Sequence, residues 1–250
     1  MRQGDGMKCR LLIVEGLPCS GKSSVSAFAA AQLEKRSKVC FVDEGTGDHP
    51  ADWEFHALRE DGEVFPLSSL PWEEAEKWMH RKIYDGLEWE EEMPVMLEKW
   101  RHFASSARQD TVYVFNCVLL QNPMCETMMR FGFGEDVSRQ YIQTIADIIC
   151  PLQPAVIYLK NEDIASSVEK AAAERPGWLE GVVQYHVQGA YGKSVGAQGF
   201  EGYVACLHER QERELRILST LPVDQLVVEN PQRDWQRAHG EIASFLQRLS

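Results

Sequence analysis

The 250-residue chain has no long hydrophobic run; nothing approaches the roughly 20 apolar residues that a membrane-spanning helix requires. It has no Cys-x-x-Cys pair either. The seven cysteines (Cys9, Cys19, Cys40, Cys117, Cys125, Cys150, Cys206) are odd in number and scattered, which suits neither a disulfide framework nor a zinc site. Basic residues are scarce, 26 against 38 acidic, so the net charge is −12 and the basic footprint of a general nucleic-acid binder is missing. The polar opening stretch, residues 1–10, lacks the apolar core of a secretory leader. Free thiols and a polar start predict a cytoplasmic protein. Internal repeats and low-complexity tracts are absent too. What is present is ordinary for a globular chain, 44% hydrophobic and 26% charged, and the length fits one large α/β domain carrying an insertion.

Charge is unevenly spread. Between Asp43 and Glu98 there are 17 acidic residues and four basic ones, while the remainder is nearly balanced. Apolar, β-branched runs at residues 10–15, 39–43, 111–116, 155–159 and 226–229 read as five buried strands. Helical spacing lies between them. Val25, Phe28, Ala29 and Leu33 share one face, as do Val137, Tyr141, Ile145, Ile148 and Ile149, and Trp235, Ala238, Ile242, Phe245 and Leu249. Alternation of this kind predicts a parallel sheet covered on both faces. Two segments break the rhythm. Residues 45–109 hold five of the seven tryptophans and read as a helical insert. Residues 160–221 begin helical, pass Gly189, Gly192, Gly196, Gly199 and Gly202, and become a charged helix; the glycines predict a mobile lid.

One motif carries chemistry. Gly16-Leu17-Pro18-Cys19-Ser20-Gly21-Lys22-Ser23 matches G-x-x-x-x-G-K-S between a predicted strand and a predicted helix. Glycines there let backbone N–H groups and a helix N-terminus face phosphate oxygens. Lys22 is placed to reach the β- and γ-phosphates, the Ser23 hydroxyl to ligate Mg²⁺, and Ser24 to continue the cradle. ATP with Mg²⁺ is the expected cofactor pair. Cys19 reads as a small residue whose backbone matters rather than as a redox switch.

The usual rivals lack their marks. A guanine-reading Asn-Lys-x-Asp is absent, since Lys160-Asn161-Glu162-Asp163 has another order, and no Asp-x-x-Gly follows the third strand. The apolar run ending in Asp43-Glu44 is too early for a transporter-type or hexameric ATPase.

In these residues the chain resembles the P-loop small-molecule kinases, particularly the thymidylate kinase and deoxynucleoside kinase group. Gly16–Ser23 matches that group's phosphate loop, and Asp43-Glu44-Gly45-Thr46-Gly47 falls where it places its acceptor site. Residues 154–159 with Glu174-Arg175-Pro176 resemble its fourth strand and arginine-bearing lid, and residues 226–249 its closing strand and helix. The resemblance implies a three-layer P-loop fold spanning residues 1–250, with sheet order 2-3-1-4-5, an acceptor-side insert and a lid. It implies ATP-dependent phosphoryl transfer to a small-molecule hydroxyl or nucleotide-like acceptor, Asp43 or Glu44 serving as base and Arg175 neutralising the transferred group. Asp43, nearer the strand end, is expected to weigh more. The sequence departs from the group after the third strand, where Asn116-Cys117 replaces an Asp-Arg pair. The loss of that arginine and the acidic insert point to a neutral or cationic acceptor. Asp48, His49, Trp53 and Phe55 are further ligand candidates, most of the insert tryptophans read as core residues, and Glu88–Glu92 as a solvated helix face. A nucleic-acid or membrane partner is not expected, and a dimer is compatible. The alternative is a slow ATP-binding switch that docks a protein partner.

Overall fold

The computed structural model describes residues 8–249; residues 1–7, which belong to the polar opening stretch, and residue 250 lie outside the described residues. In chain order the elements are β1 (Leu11–Gly16), α1 (Lys22–Leu33), β2 (Lys38–Phe41), β3 (His56–Leu58), β4 (Val64–Pro66), α2 (Trp72–Ala75), α3 (Ile83–Gly86), α4 (Trp89–Ser106), β5 (Thr111–Asn116), α5 (Gln121–Met124), α6 (Glu135–Ile149), β6 (Ala155–Lys160), α7 (Ile164–Glu174), α8 (Trp178–Gln188), α9 (Ala190–Ser194), α10 (Gly199–Leu218), β7 (Asp224–Glu229) and α11 (Trp235–Arg248). They fall into two compact units. One runs to Glu44 and resumes at Arg108; the other is Gly45–Ala107.

The first unit is α/β, built on a five-stranded sheet in the order β2-β5-β1-β6-β7 with every neighbouring pair parallel. The expected label 2-3-1-4-5 counted five strands. Two short strands of the other unit, β3 and β4, take the intervening numbers. β1 is buried along its whole length. Its side chains alternate between faces. Leu12 and Val14 join Val25, Ala29 and Leu33 of α1 and Ile242, Phe245 and Leu246 of α11 in one apolar cluster. Glu15, the next residue along, belongs to the opposite face. Each fully buried aliphatic side chain contributes about 1.5–3 kcal/mol, so truncation of Ile157 at the centre of this cluster would cost about 2–5 kcal/mol. Caps fix the flanking helices: the Asp163 carboxylate accepts from Ser166 N–H at the start of α7, and Asp234 from Arg237 N–H at the start of α11.

The glycine-rich stretch read as a mobile lid is mostly helical, in α8, α9 and the start of α10. Close packing accounts for two of its glycines, whereas Gly196 and Gly199 have open space around them. A Cβ on Gly189 would lie 2.4 Å from the Met129 carbonyl oxygen, and one on Gly192 would lie 2.4 Å from that of His186. Val168 of α7 and Tyr203 and Leu207 of α10 pack around Leu17. A π-helical turn, Cys125–Arg130, follows α5 and had no sequence signal.

The second unit carries an antiparallel hairpin, β3 with β4, as well as helices. Phe65, Ala57, Leu67 and Ala75 form its small core, with Trp78 edge-on to Phe65. Its tryptophans are not all core residues: Trp100 is buried, whereas Trp72 is 75% exposed. No described helix is long and apolar enough to cross a membrane.

Candidate functional site

The Gly16–Ser23 stretch leaves β1 and enters α1 with a backbone that ordinary residues adopt poorly. Gly16 has φ of 143°, and a Cβ there would meet the Leu159 carbonyl oxygen at 2.7 Å. Gly21 has φ of 94°, and a Cβ there would sit 2.5 Å from the Trp235 ring. Both positions need glycine for space as well as for φ. Cys19 takes a left-handed φ of 65° without that freedom. The Lys22 ammonium, almost buried, folds back and donates to Leu17 O at 2.8 Å. Gln232 brackets the loop from the far end of the sheet, its amide donating to Cys19 O at 3.4 Å. The first N–H groups of α1 open onto this loop, and its first turn holds no acidic residue to occupy them.

A cleft of about 520 Å³ lies over the loop. Pro18, Cys19, Gly21, Lys22, Ser23 and Ser24 form its floor. Gly16, Leu17 and Ser20 stay beneath as support, Leu17 in the apolar cluster with Tyr203. Lys170 and Arg175, from the end of α7, line one wall with Trp178; Glu44 and Gln121 line another. Arg175 is exposed, and its guanidinium lies 5.8 Å from the Trp178 ring centre.

The two candidate bases separate. Glu44 reaches the cleft, where its Oε1 accepts from the Gln121 amide at 2.9 Å and its Oε2 from the Cys117 thiol at 3.2 Å. Asp43 does not line the cleft. Its Oδ1 accepts from Asn116 Nδ2 at 2.6 Å and from Glu44 N–H at 3.0 Å, which ties the end of β2 to the end of β5. Nearness to the strand end, which favoured Asp43 in the sequence, leads it into a brace instead. Asn116 and Cys117, standing where the resemblance expects Asp-Arg, each hold one of these two carboxylates.

Glu15 gave no sequence alarm beyond being a lone charge in an apolar strand. It is wholly buried, and its carboxylate accepts three consecutive backbone N–H groups, from Leu119 at 2.7 Å, Leu120 at 2.9 Å and Gln121 at 3.1 Å. Burial pushes its carboxyl up to about 7, with Glu214 adding and the N–H groups opposing. Behind it, Tyr158 donates to Glu214 Oε2 at 2.6 Å, and Arg210 Nε lies 3.1 Å from Glu214 Oε1, both partners without exposure. Burial also raises the Cys19 thiol, opposed by Lys22 and Arg175, so Cys19 is no low-pKa redox thiol. Gln121, Trp178 and Gln232 had no signal in the sequence; only the fold brings them to the loop.

Asp48, His49, Trp53 and Phe55 lie in the second unit. There Lys99 Nζ sits 3.5 Å over the Trp53 ring, and Asp52 accepts from the Tyr84 hydroxyl at 2.7 Å. Burial lowers His49 to about 4, with Lys99 adding to the effect.

No known family's sequence profile matches this chain, and no curated protein matches it. Among solved structures, the crystal structure of YorR protein from Bacillus subtilis in complex with phosphorylated GDP aligns over 96% of this chain and 94% of that one, with 13% identity and a TM-score of 0.43.

Proposed function

We propose that this chain is a P-loop phosphotransferase that moves a phosphoryl group from ATP to the hydroxyl of a small molecule. The observation that carries the reading is the single cleft over the Gly16–Ser23 loop, which gathers Lys22, Ser23, Glu44, Gln121, Lys170 and Arg175. Backbone N–H groups of the loop and of α1 suit phosphate oxygens. Lys22 exchanges its bond to Leu17 O for one to a phosphate. Glu44, an acceptor held by two donors, takes the proton of the attacking hydroxyl. Arg175 and Lys170 neutralise charge on the transferred group. The Ser23 hydroxyl supplies a hard oxygen of the kind Mg²⁺ takes, and among the described residues no cluster of His, Cys, Asp and Glu competes as a metal cage. Mg²⁺ bound with the nucleotide would offset phosphate charge.

The acceptor we assign is neutral or cationic. Asn116, which ends β5, and Cys117 after it stand beside the carboxylates of Asp43 and Glu44, where the resemblance expects an arginine. A monophosphate brings about two negative charges to such a surface.

The test measures ATP consumption with Mg²⁺ by the purified chain across nucleoside monophosphates, nucleosides, aminoglycosides and amino alcohols. Turnover with a neutral or cationic hydroxyl compound is expected. Turnover confined to monophosphates would overturn the acceptor class. Tight ATP binding with no turnover in any mixture would favour a nucleotide-gated switch, the reading to which Asn116 in place of a carboxylate lends support.

A further inference from the structure

Three buried N–H groups converge on one carboxylate, and the last of them belongs to the residue that holds the candidate base. We infer that Glu15 is a positioning residue: by holding the backbone of Leu119, Leu120 and Gln121, it fixes the Gln121 side chain and through it the orientation of Glu44. The inference rests on the reading of Glu44 as the base.

The chain of contacts is continuous. Glu15 is the penultimate residue of β1, immediately before Gly16, so its backbone belongs to the strand that launches the loop. Its two oxygens take the N–H groups at 2.7, 2.9 and 3.1 Å. Those groups open α5, a helix of only four residues with no side-chain cap of its own. Gln121, 8% exposed, then donates to Glu44 Oε1 at 2.9 Å. An ionised carboxylate holds N–H groups about twice as strongly as a neutral acceptor. Protonation of Glu15 removes that charge and slackens the turn carrying Gln121. Burial places this titration near neutrality. The groups facing Glu15 are Glu214 on α10, itself paired with Arg210, Tyr158 on β6 and Cys117 after β5. Burial raises Tyr158 and Cys117 well above their ordinary values, so both stay neutral there. Glu15 itself, raised to about 7, is placed to change charge near neutral pH.

The test is nitrogen-edited NMR of the full chain from pH 5.5 to 8.5, with Glu15→Gln, Glu15→Asp and Glu44→Gln beside the parent. In the parent, the backbone amides of Leu119, Leu120 and Gln121 and the Gln121 side-chain amide should shift together, with one midpoint near neutral pH. Glu15→Gln should abolish that midpoint, Glu15→Asp should retain one, and Glu44→Gln should leave the backbone shifts in place. With ATP, Mg²⁺ and the acceptor pool above, parent turnover should rise as pH passes through the midpoint. Glu15→Gln should lower kcat by about tenfold and flatten this rise, with KM for ATP within about twofold. Backbone amides that titrate while the Gln121 side chain does not would overturn the linkage. So would parent kcat in Glu15→Gln beside a loss in Glu44→Gln. Full turnover in Glu44→Gln would overturn the base instead, and the amide shifts would still decide the linkage.

Discussion

The Gln121 side-chain amide donates to Glu44 Oε1 at 2.9 Å, joining residues 77 positions apart. With the Cys117 thiol on Oε2, it leaves the Glu44 carboxylate held at both oxygens on the wall of the cleft. Asp43, one residue earlier, is committed to Asn116.

Glu44→Gln and Asp43→Asn should therefore behave differently. Loss of a general base costs about 10²–10⁴ in rate, and that loss is expected at Glu44, with ATP affinity unchanged. Asp43→Asn removes a charged acceptor and should act mainly on stability, by about 1.5–3 kcal/mol in chemical denaturation. Unaltered turnover in Glu44→Gln would remove it as the base.

Lys22→Ala should abolish ATP-dependent turnover in a folded protein. The substitution removes the bond from the Lys22 ammonium to Leu17 O, so the stability cost should stay near 1 kcal/mol. A variant working at the parent rate would show that the loop does not bind the transferred phosphate.

Gly21→Ala meets two obstacles, a φ of 94° and the Trp235 ring at 2.5 Å. Strain and overpacking together should cost about 1–3 kcal/mol. Pairing it with Trp235→Ala should recover the steric share only. Strict additivity of the two substitutions in a denaturation cycle would mean that they do not meet.

Acid should expose an opposition between two buried groups. The His186 Nδ1 donates to Val182 O, and burial lowers the ring to about 4, with Arg210 adding to the effect. A His with a depressed pKa binds fewer protons folded than unfolded between about 4 and 6.5. It therefore destabilises the fold as pH falls through that window. Glu15, raised from 4.5 to about 7, binds more protons folded, so it favours the fold at low pH and loses that advantage as pH rises through 7. Each amounts to about 3 kcal/mol at full extent. His186→Phe should leave the Glu15 trend unopposed, with stability rising as pH drops from 7 to 5. If the parent and variant show parallel pH curves, His186 is not titrating as its burial implies.

The strands were legible because parallel-sheet strands are short, apolar and β-branched, as residues 155–159 show. The turn at Gly16–Ser23 was legible because its backbone needs glycine at fixed positions, as the φ angles of Gly16 and Gly21 show. What escaped the sequence depends on contacts across the chain. Gln121 is an ordinary polar residue until β5 brings it beside the end of β2. Gly189 and Gly192 suggested mobility because a sequence records the missing side chain but not the carbonyl that fills its place. Glu15 stood out only as a charge among Leu11–Val14, and its three N–H partners come from a turn more than 100 positions away.

Trp235 has a further consequence, for the order in which the protein is made. The loop begins within the first tenth of the chain, while the ring that backs Gly21 and the amide that holds Cys19 O lie more than 200 positions later. During synthesis the loop leaves the ribosome long before its wall exists. A nascent chain stalled short of Gln232 would present the motif without the support that shapes it, so the proposed nucleotide capture would belong to the last stage of biogenesis.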